Sequence, residues 1–80
     1  MASYLFQIGG AAMVTEILTS QVDGDRTIFT VSQSFKPNSL GVFYNGSRQT
    51  GQFTVIDSTT FQLNFVPTLG TQLEVEFVPI

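Results

Sequence analysis

Asn45-Gly46 constrains this chain more than any other feature. It lies between segments of alternating apolar residues, Leu40, Val42 and Tyr44 before it and Phe53 and Val55 after it. A two-residue type I′ hairpin turn needs positive φ at both central residues, and Asn-Gly meets that need at little steric cost. The spacing predicts a tight turn at Asn45-Gly46 with Ser47-Arg48-Gln49-Thr50 as the return limb. A fixed turn also sets strand register, and register decides which side chains enter the core.

A period of two runs through most of the remaining chain. Thr27-Ile28-Phe29-Thr30-Val31 puts Phe29 and Val31 on one face, and Lys36-Pro37-Asn38-Ser39 signals a turn. Asp57-Ser58-Thr59 reads as a second short turn, whose side chains can bond the loop backbone. Phe61, Leu63 and Phe65 alternate with Gln62 and Asn64. Val66-Pro67-Thr68-Leu69-Gly70 then leaves the sheet, because Pro removes a ladder donor and Gly permits a tight bend. The last strand sets Leu73, Val75 and Phe77 inward with Glu74 and Glu76 on an outer face, read as an edge, which Pro79 would cap. Short strands separated by close turn signals predict an all-β fold: a small antiparallel β-sandwich or partly open barrel of five to seven strands. The expected core is Phe29, Val31, Leu40, Val42, Tyr44, Phe53, Val55, Phe61, Leu63, Phe65, Leu73, Val75 and Phe77.

Residues 1–14 read as an extended N-terminal arm, and residues 15–80 as the β-sandwich domain. The arm has no charged side chain; its tip carries the apolar Tyr4, Leu5, Phe6 and Ile8, and Gly9-Gly10 supplies a joint. Such a tip either folds onto its own domain as an extra strand or packs on a neighbour. Over residues 11–19, Val14, Ile17 and Leu18 fit one face of a helix. The β-branched run Val14-Thr15-Glu16-Ile17 favours a strand, and an arm running into a first strand is the reading adopted.

Eighty residues with no Cys and no His make one domain whose core has no disulfide, thiolate or imidazole to support it. Elimination leaves oligomerisation as the expected support. Charged residues are 11% of the chain, against about a quarter in typical soluble domains, which also favours life in an assembly. Lys36, Arg26 and Arg48 are scattered cations in a chain of net charge −3, so no phosphate-binding stripe forms and nucleic acid is not an expected partner. Met1-Ala2-Ser3 has no cationic lead of a signal peptide, and no apolar run approaches the ~20 residues of a membrane-spanning helix.

The same inventory argues against an enzyme. Without His or Cys the commonest general base and the thiol nucleophile are missing. Glu74 and Glu76 share one strand face about 7 Å apart, where a solvated face explains them better than a catalytic pair. Asp23-Gly24-Asp25 resembles the start of a calcium loop, but Arg26 and Thr27 follow and the terminal Glu is missing, so a polar turn is expected. No cofactor or metal site is read. At the hairpin tip, Asn45, Gly46 and Arg48 are the candidate contact residues, Arg48 for a partner carboxylate or a glycan hydroxyl.

From Asp25 to Phe77 the order of pieces resembles a small β-sandwich module of tailed-bacteriophage virion proteins. The matching segments are Thr27-Ile28-Phe29-Thr30-Val31-Ser32, Val42-Phe43-Tyr44-Asn45-Gly46-Ser47-Arg48-Gln49 and Phe53-Thr54-Val55. Thr60-Phe61-Gln62-Leu63-Asn64-Phe65, Pro67-Thr68-Leu69-Gly70 and Leu73-Glu74-Val75-Glu76-Phe77 complete the set. Tyr44 directly precedes Asn45, which shortens the hairpin limb by one residue against the module's pattern.

The resemblance implies a non-enzymatic role in the virion, in tail fibres, head fibres, baseplate parts or capsid decoration, and it carries no catalytic residues. Because the module comes alone here, the expectation is a small accessory subunit: a decoration or cement protein, or a small tail or neck component. It would bind other virion proteins through the arm and associate with itself, as a trimer by analogy with virion context. The other expectation is a receptor- or carbohydrate-binding module of a tail fibre, with the hairpin tip in contact. Both place the protein in the virion after synthesis in the host cytoplasm.

Overall fold

A computed structural model describes residues 7–8 and 11–80, with side chains from Met13 onward. Among them the chain forms nine strands and one short 3-10 turn: β1 (Gln7–Ile8), β2 (Ala11–Ala12), β3 (Val14–Ile17), the turn Thr19–Gln21, β4 (Ile28–Thr30), β5 (Gly41–Tyr44), β6 (Ser47–Gln49), β7 (Phe53–Asp57), β8 (Thr60–Leu63) and β9 (Leu73–Phe77). The segment that could read as helix is therefore strand β3. Its alternating exposure, with Val14 half-buried and Thr15 and Ile17 exposed, is the period-two signature of an edge strand on a core.

Seven strands make two antiparallel sheets, of order β3-β9-β5-β6 and β4-β8-β7, that are not closed into a barrel. The fold is thus the sandwich form of the expected all-β class. β1 and β2 form a separate pair, Gln7 opposite Ala12 and Ile8 opposite Ala11. Of the expected arm, Tyr4, Leu5 and Phe6 and the side chain of Ile8 lie outside the described residues.

The core lies between the sheets. Phe29, Phe35, Phe61 and Phe77 are fully buried together with Leu18, Leu63, Leu73, Val42 and Val75, and Val22, Val31 and Leu40 join them. Phe61 stacks on Phe29 with ring centroids 5.9 Å apart and meets Phe53 edge-on at 6.3 Å. Phe35 packs against Phe77 at 5.8 Å. Such aromatic pairs add to area burial through their quadrupoles.

Three expectations are corrected. Leu18, Val22 and Phe35 belong to the core although no strand period marks them, and Tyr44, Phe53, Val55 and Phe65, expected inside it, are half-buried. β9 is not an edge: β3 and β5 flank it, so Glu74 and Glu76 stand on the outer face of a central strand. Pro79 consequently caps no edge strand. It forms an isolated antiparallel bridge with Phe35, while the N–H of Lys36 donates to Val78 O and that of Ile80 donates to Ser34 O. The tail so formed packs Phe35 into the core, and Ser39 Oγ accepts from the Val78 N–H at 3.0 Å to hold it.

The turns follow the sequence reading. Asn45 has φ 51° and Gly46 φ 83°, with Tyr44 opposite Ser47, a two-residue type I′ connection. Ser58-Thr59 joins β7 to β8, where Asp57 Oδ1 accepts from the Thr59 N–H at 2.9 Å.

Phe61 is fully buried between two aromatic rings. Phe61→Ala is expected to lower unfolding free energy by about 3–5 kcal/mol through lost transfer energy and a residual cavity. Chemical denaturation checks this, and an unchanged midpoint would place Phe61 outside the core.

Candidate functional site

The hairpin between β5 and β6 does not stand free. The Asn45 backbone N–H donates to Gln72 O at 2.8 Å, and the Gln72 N–H donates back to Asn45 Oδ1 at 2.8 Å. One residue earlier, the Tyr44 hydroxyl accepts from the Thr68 N–H at 3.1 Å, and the Tyr44 ring meets Phe65 edge-on at 5.1 Å. The neighbouring Thr71 side chain, and then the Thr68 N–H, hold the Tyr44 phenol below its ordinary pKa. The Asn-Gly turn and the Pro67–Gly70 corner, over twenty residues apart in the chain, thus form one end of the molecule.

Arg48 projects from β6 onto the outer face of the larger sheet. Its Nη2 lies 2.9 Å from Glu76 Oε2 on β9, and its guanidinium carbon is 4.9 Å from the Phe43 ring centroid. Gly41 makes the space: a Cβ there would stand 2.9 Å from Arg48 Nη1 and 3.1 Å from Glu76 Cγ. The pair reaches across β5 because Gly41 opposes Glu76 and Phe43 opposes Arg48. With Arg48 more than half exposed, the ion pair contributes roughly 0–1 kcal/mol. It organises the face more than it stabilises the fold.

Of the candidate tip residues, the structure therefore engages Asn45 with Gln72 and Arg48 with Glu76 and Phe43, and leaves Gly46 exposed at the apex. Asn45 and Arg48 are both exposed but point to different neighbours, Asn45 to the corner before β9 and Arg48 across the sheet.

Asp23-Gly24-Asp25 is a polar turn. Asp23 Oδ1 accepts from the backbone N–H of Asp25 at 2.9 Å and of Arg26 at 2.8 Å, with Gly24 at φ +84°. Those backbone bonds, Asp25 first, hold the Asp23 carboxyl below its ordinary pKa. Asp57 is lowered in the same way, by the Thr59 N–H first and then the Thr60 hydroxyl. Among the described residues no group of three or more His, Cys, Asp or Glu side chains is placed to hold a metal ion.

The sequence reading missed a third set of side chains, along the outer edge of β4. Gln21 Nε2 donates to Thr30 O at 2.7 Å while the Thr30 N–H donates to Gln21 Oε1 at 3.1 Å, so one amide side chain pairs with the strand as a neighbouring backbone would. Arg26 Nε donates to Ile28 O at 2.6 Å, and Glu16 Oε1 accepts from the Ser32 N–H at 3.0 Å. These bonds close an edge that would otherwise offer its backbone to another strand. No local pattern marks Gln21 for this role, since its partner lies across the turn that brings β4 back.

Comparison with known protein families, curated proteins and solved structures yields no match for this chain.

Both lowered carboxyls act in the same direction with pH. A carboxyl whose folded pKa is depressed contributes stability above its unfolded pKa of about 3.9 and loses it as pH falls through the folded value. The melting temperature is therefore expected to fall on acidification below about pH 4. Replacing Asp23 and Asp57 together by Asn keeps the side-chain acceptors but removes the titration, so the acid limb of melting temperature against pH becomes shallower. An unchanged limb assigns the acid sensitivity to other carboxylates.

Proposed function

We propose that this protein is a non-enzymatic structural subunit of a bacteriophage virion, a capsid decoration or cement protein or a small tail or neck component. It attaches to other virion subunits through its apolar N-terminal arm and associates with itself. One observation carries the reading. The two most distinctive pieces of the resemblance, the Asn-Gly hairpin and the Pro-x-x-Gly corner, are hydrogen-bonded to each other through Asn45 with Gln72 and Tyr44 with Thr68. Their joint presence then has a physical cause, because each holds the other in place. Pieces that depend on each other support a shared module more than the same pieces scattered through a sandwich would.

The tip chemistry supports attachment over glycan recognition. The Arg48 guanidinium is shared between Glu76 and Phe43, and the Asn45 N–H and Oδ1 are bonded to Gln72. A sugar hydroxyl would have to displace these internal partners. Attachment through the arm instead uses burial of Tyr4, Leu5, Phe6 and Ile8, which needs no preorganised polar site.

Purified phage particles test the proposal. The protein is expected to band with particles in a density gradient, and its absence from them would overturn the reading. The full chain added to particles lacking it is expected to co-sediment. A chain without residues 1–10, folded by circular dichroism, is expected to remain in the supernatant.

A further inference from the structure

Among the described residues, three of the four edges of the two larger sheets lack the side-chain closure found on β4, and they differ in whether they can pair with a copy of themselves. The Asn64 N–H donates to Gln52 O at 2.9 Å, and Thr54 stands opposite Gln62. By antiparallel alternation, the N–H and C=O groups of Phe53 and Val55 then point away from β8. Among the described residues, no hydrogen bond outside the β7–β8 ladder reaches these groups. The stretch Phe53-Thr54-Val55-Ile56 carries no charge, with Phe53 and Val55 half-buried at the core rim and Thr54 exposed.

We propose that β7 is a self-association surface: two copies of this chain pair their β7 strands antiparallel about a two-fold axis at Thr54, joining their three-stranded sheets into one continuous sheet. In this register Phe53 of each copy stands opposite Val55 of the other, an aromatic and a β-branched residue on the same face, and Thr54 meets Thr54 on the outer face. Both are favourable cross-strand pairs. The outward groups of Phe53 and Val55 then bond reciprocally with those of the second copy. Asp57 of each copy falls opposite Gly51 of the other, which keeps the carboxylates apart. The β-bulge between Val55 and Asp57 bends the strand just past this stretch and ends the pairing there.

The other open edges fail the same construction. On β3 the Leu18 N–H donates to Leu73 O, so Thr15 and Ile17 point outward, and a two-fold centred between them sets Glu16 against Glu16. Like charges directly opposite destabilise a strand pair. On β6, Tyr44 opposite Ser47 and Val42 opposite Gln49 leave Arg48 as the one residue of the strand with outward backbone groups, so a two-fold between two outward residues does not fit within it. On β4 the backbone is already occupied by Gln21, Arg26 and Glu16.

This inference rests on the self-association in the function proposed above and needs no virion context, so absence from particles sinks that function and leaves the pairing standing. The test is the solution mass of the full chain by light scattering behind a sizing column. The wild type is expected to be a dimer. Thr54→Lys and Thr54→Glu, substitutions at an exposed position, are expected to be folded monomers at the same concentration, with association weakened by about tenfold or more. An equimolar mixture of the two variants is expected to recover the dimer, because Lys then faces Glu. A wild-type monomer or trimer, variants that keep the wild-type mass, or a mixture that stays monomeric overturns the proposal. So does a chain lacking residues 1–10 that dissociates while Thr54→Lys stays associated, since self-association would then belong to the arm.

Discussion

The sandwich depends on β9. It is the last strand in chain order and, with β5, one of the two flanked on both sides in the larger sheet, pairing Val75 with Glu16 on one flank and Val42 on the other. Its inward residues Leu73, Val75 and Phe77 are fully buried, so it supplies both the ladder that joins β3 to β5 and a large part of the core beneath it. The pairing of β3 with β9 closes a loop that spans most of the chain. Loop-closure entropy is lost before such contacts contribute, so folding is governed by non-local pairing rather than by the local hairpins.

Two small devices make that long closure specific. The Asn45–Gln72 exchange and the Tyr44–Thr68 bond tie the end of β5 to the corner that delivers β9, so the hairpin turn helps set the register of a strand it does not touch in sequence. At the other end of β9, Ser39 and the Phe35–Pro79 bridge hold the tail after Phe77. A register slip of one residue would turn Glu74 and Glu76 inward, and burying unpaired carboxylates opposes it strongly. The outer face also welcomes them, with Arg48 crossing Gly41 to reach Glu76.

The edges differ in how their backbone is closed. At β4, Gln21 bonds Thr30 and Arg26 bonds Ile28, and Glu16 takes the Ser32 N–H just past the strand. At β3, β6 and β7 no comparable closure exists among the described residues, and of these β7 is uncharged along Phe53-Thr54-Val55-Ile56, with Phe53 and Val55 half-buried on its inner side. A protein with few charges and no disulfide gains from covering such an edge, since an open edge with little charge is prone to unspecific pairing.

The sequence by itself determined the local structure. Positive φ at Asn45 and Gly46, the Asp57 turn, the Asp23 turn and the inward sets Phe29 and Val31, Phe61 and Leu63, and Leu73, Val75 and Phe77 all follow from steric and period-two rules acting over a few residues. Tertiary structure alone decided what depends on distant partners. Leu18, Val22 and Phe35 became core because sheet closure covers them, not because a strand period marks them. β9 became central, and Glu74 and Glu76 with it, because strand order is set by which faces bury together, on which alternation is silent. Arg48 found Glu76 and Gln21 found Thr30 for the same reason: a hydrogen bond between residues brought together by the fold, and not by a local period, leaves no trace in the spacing of either.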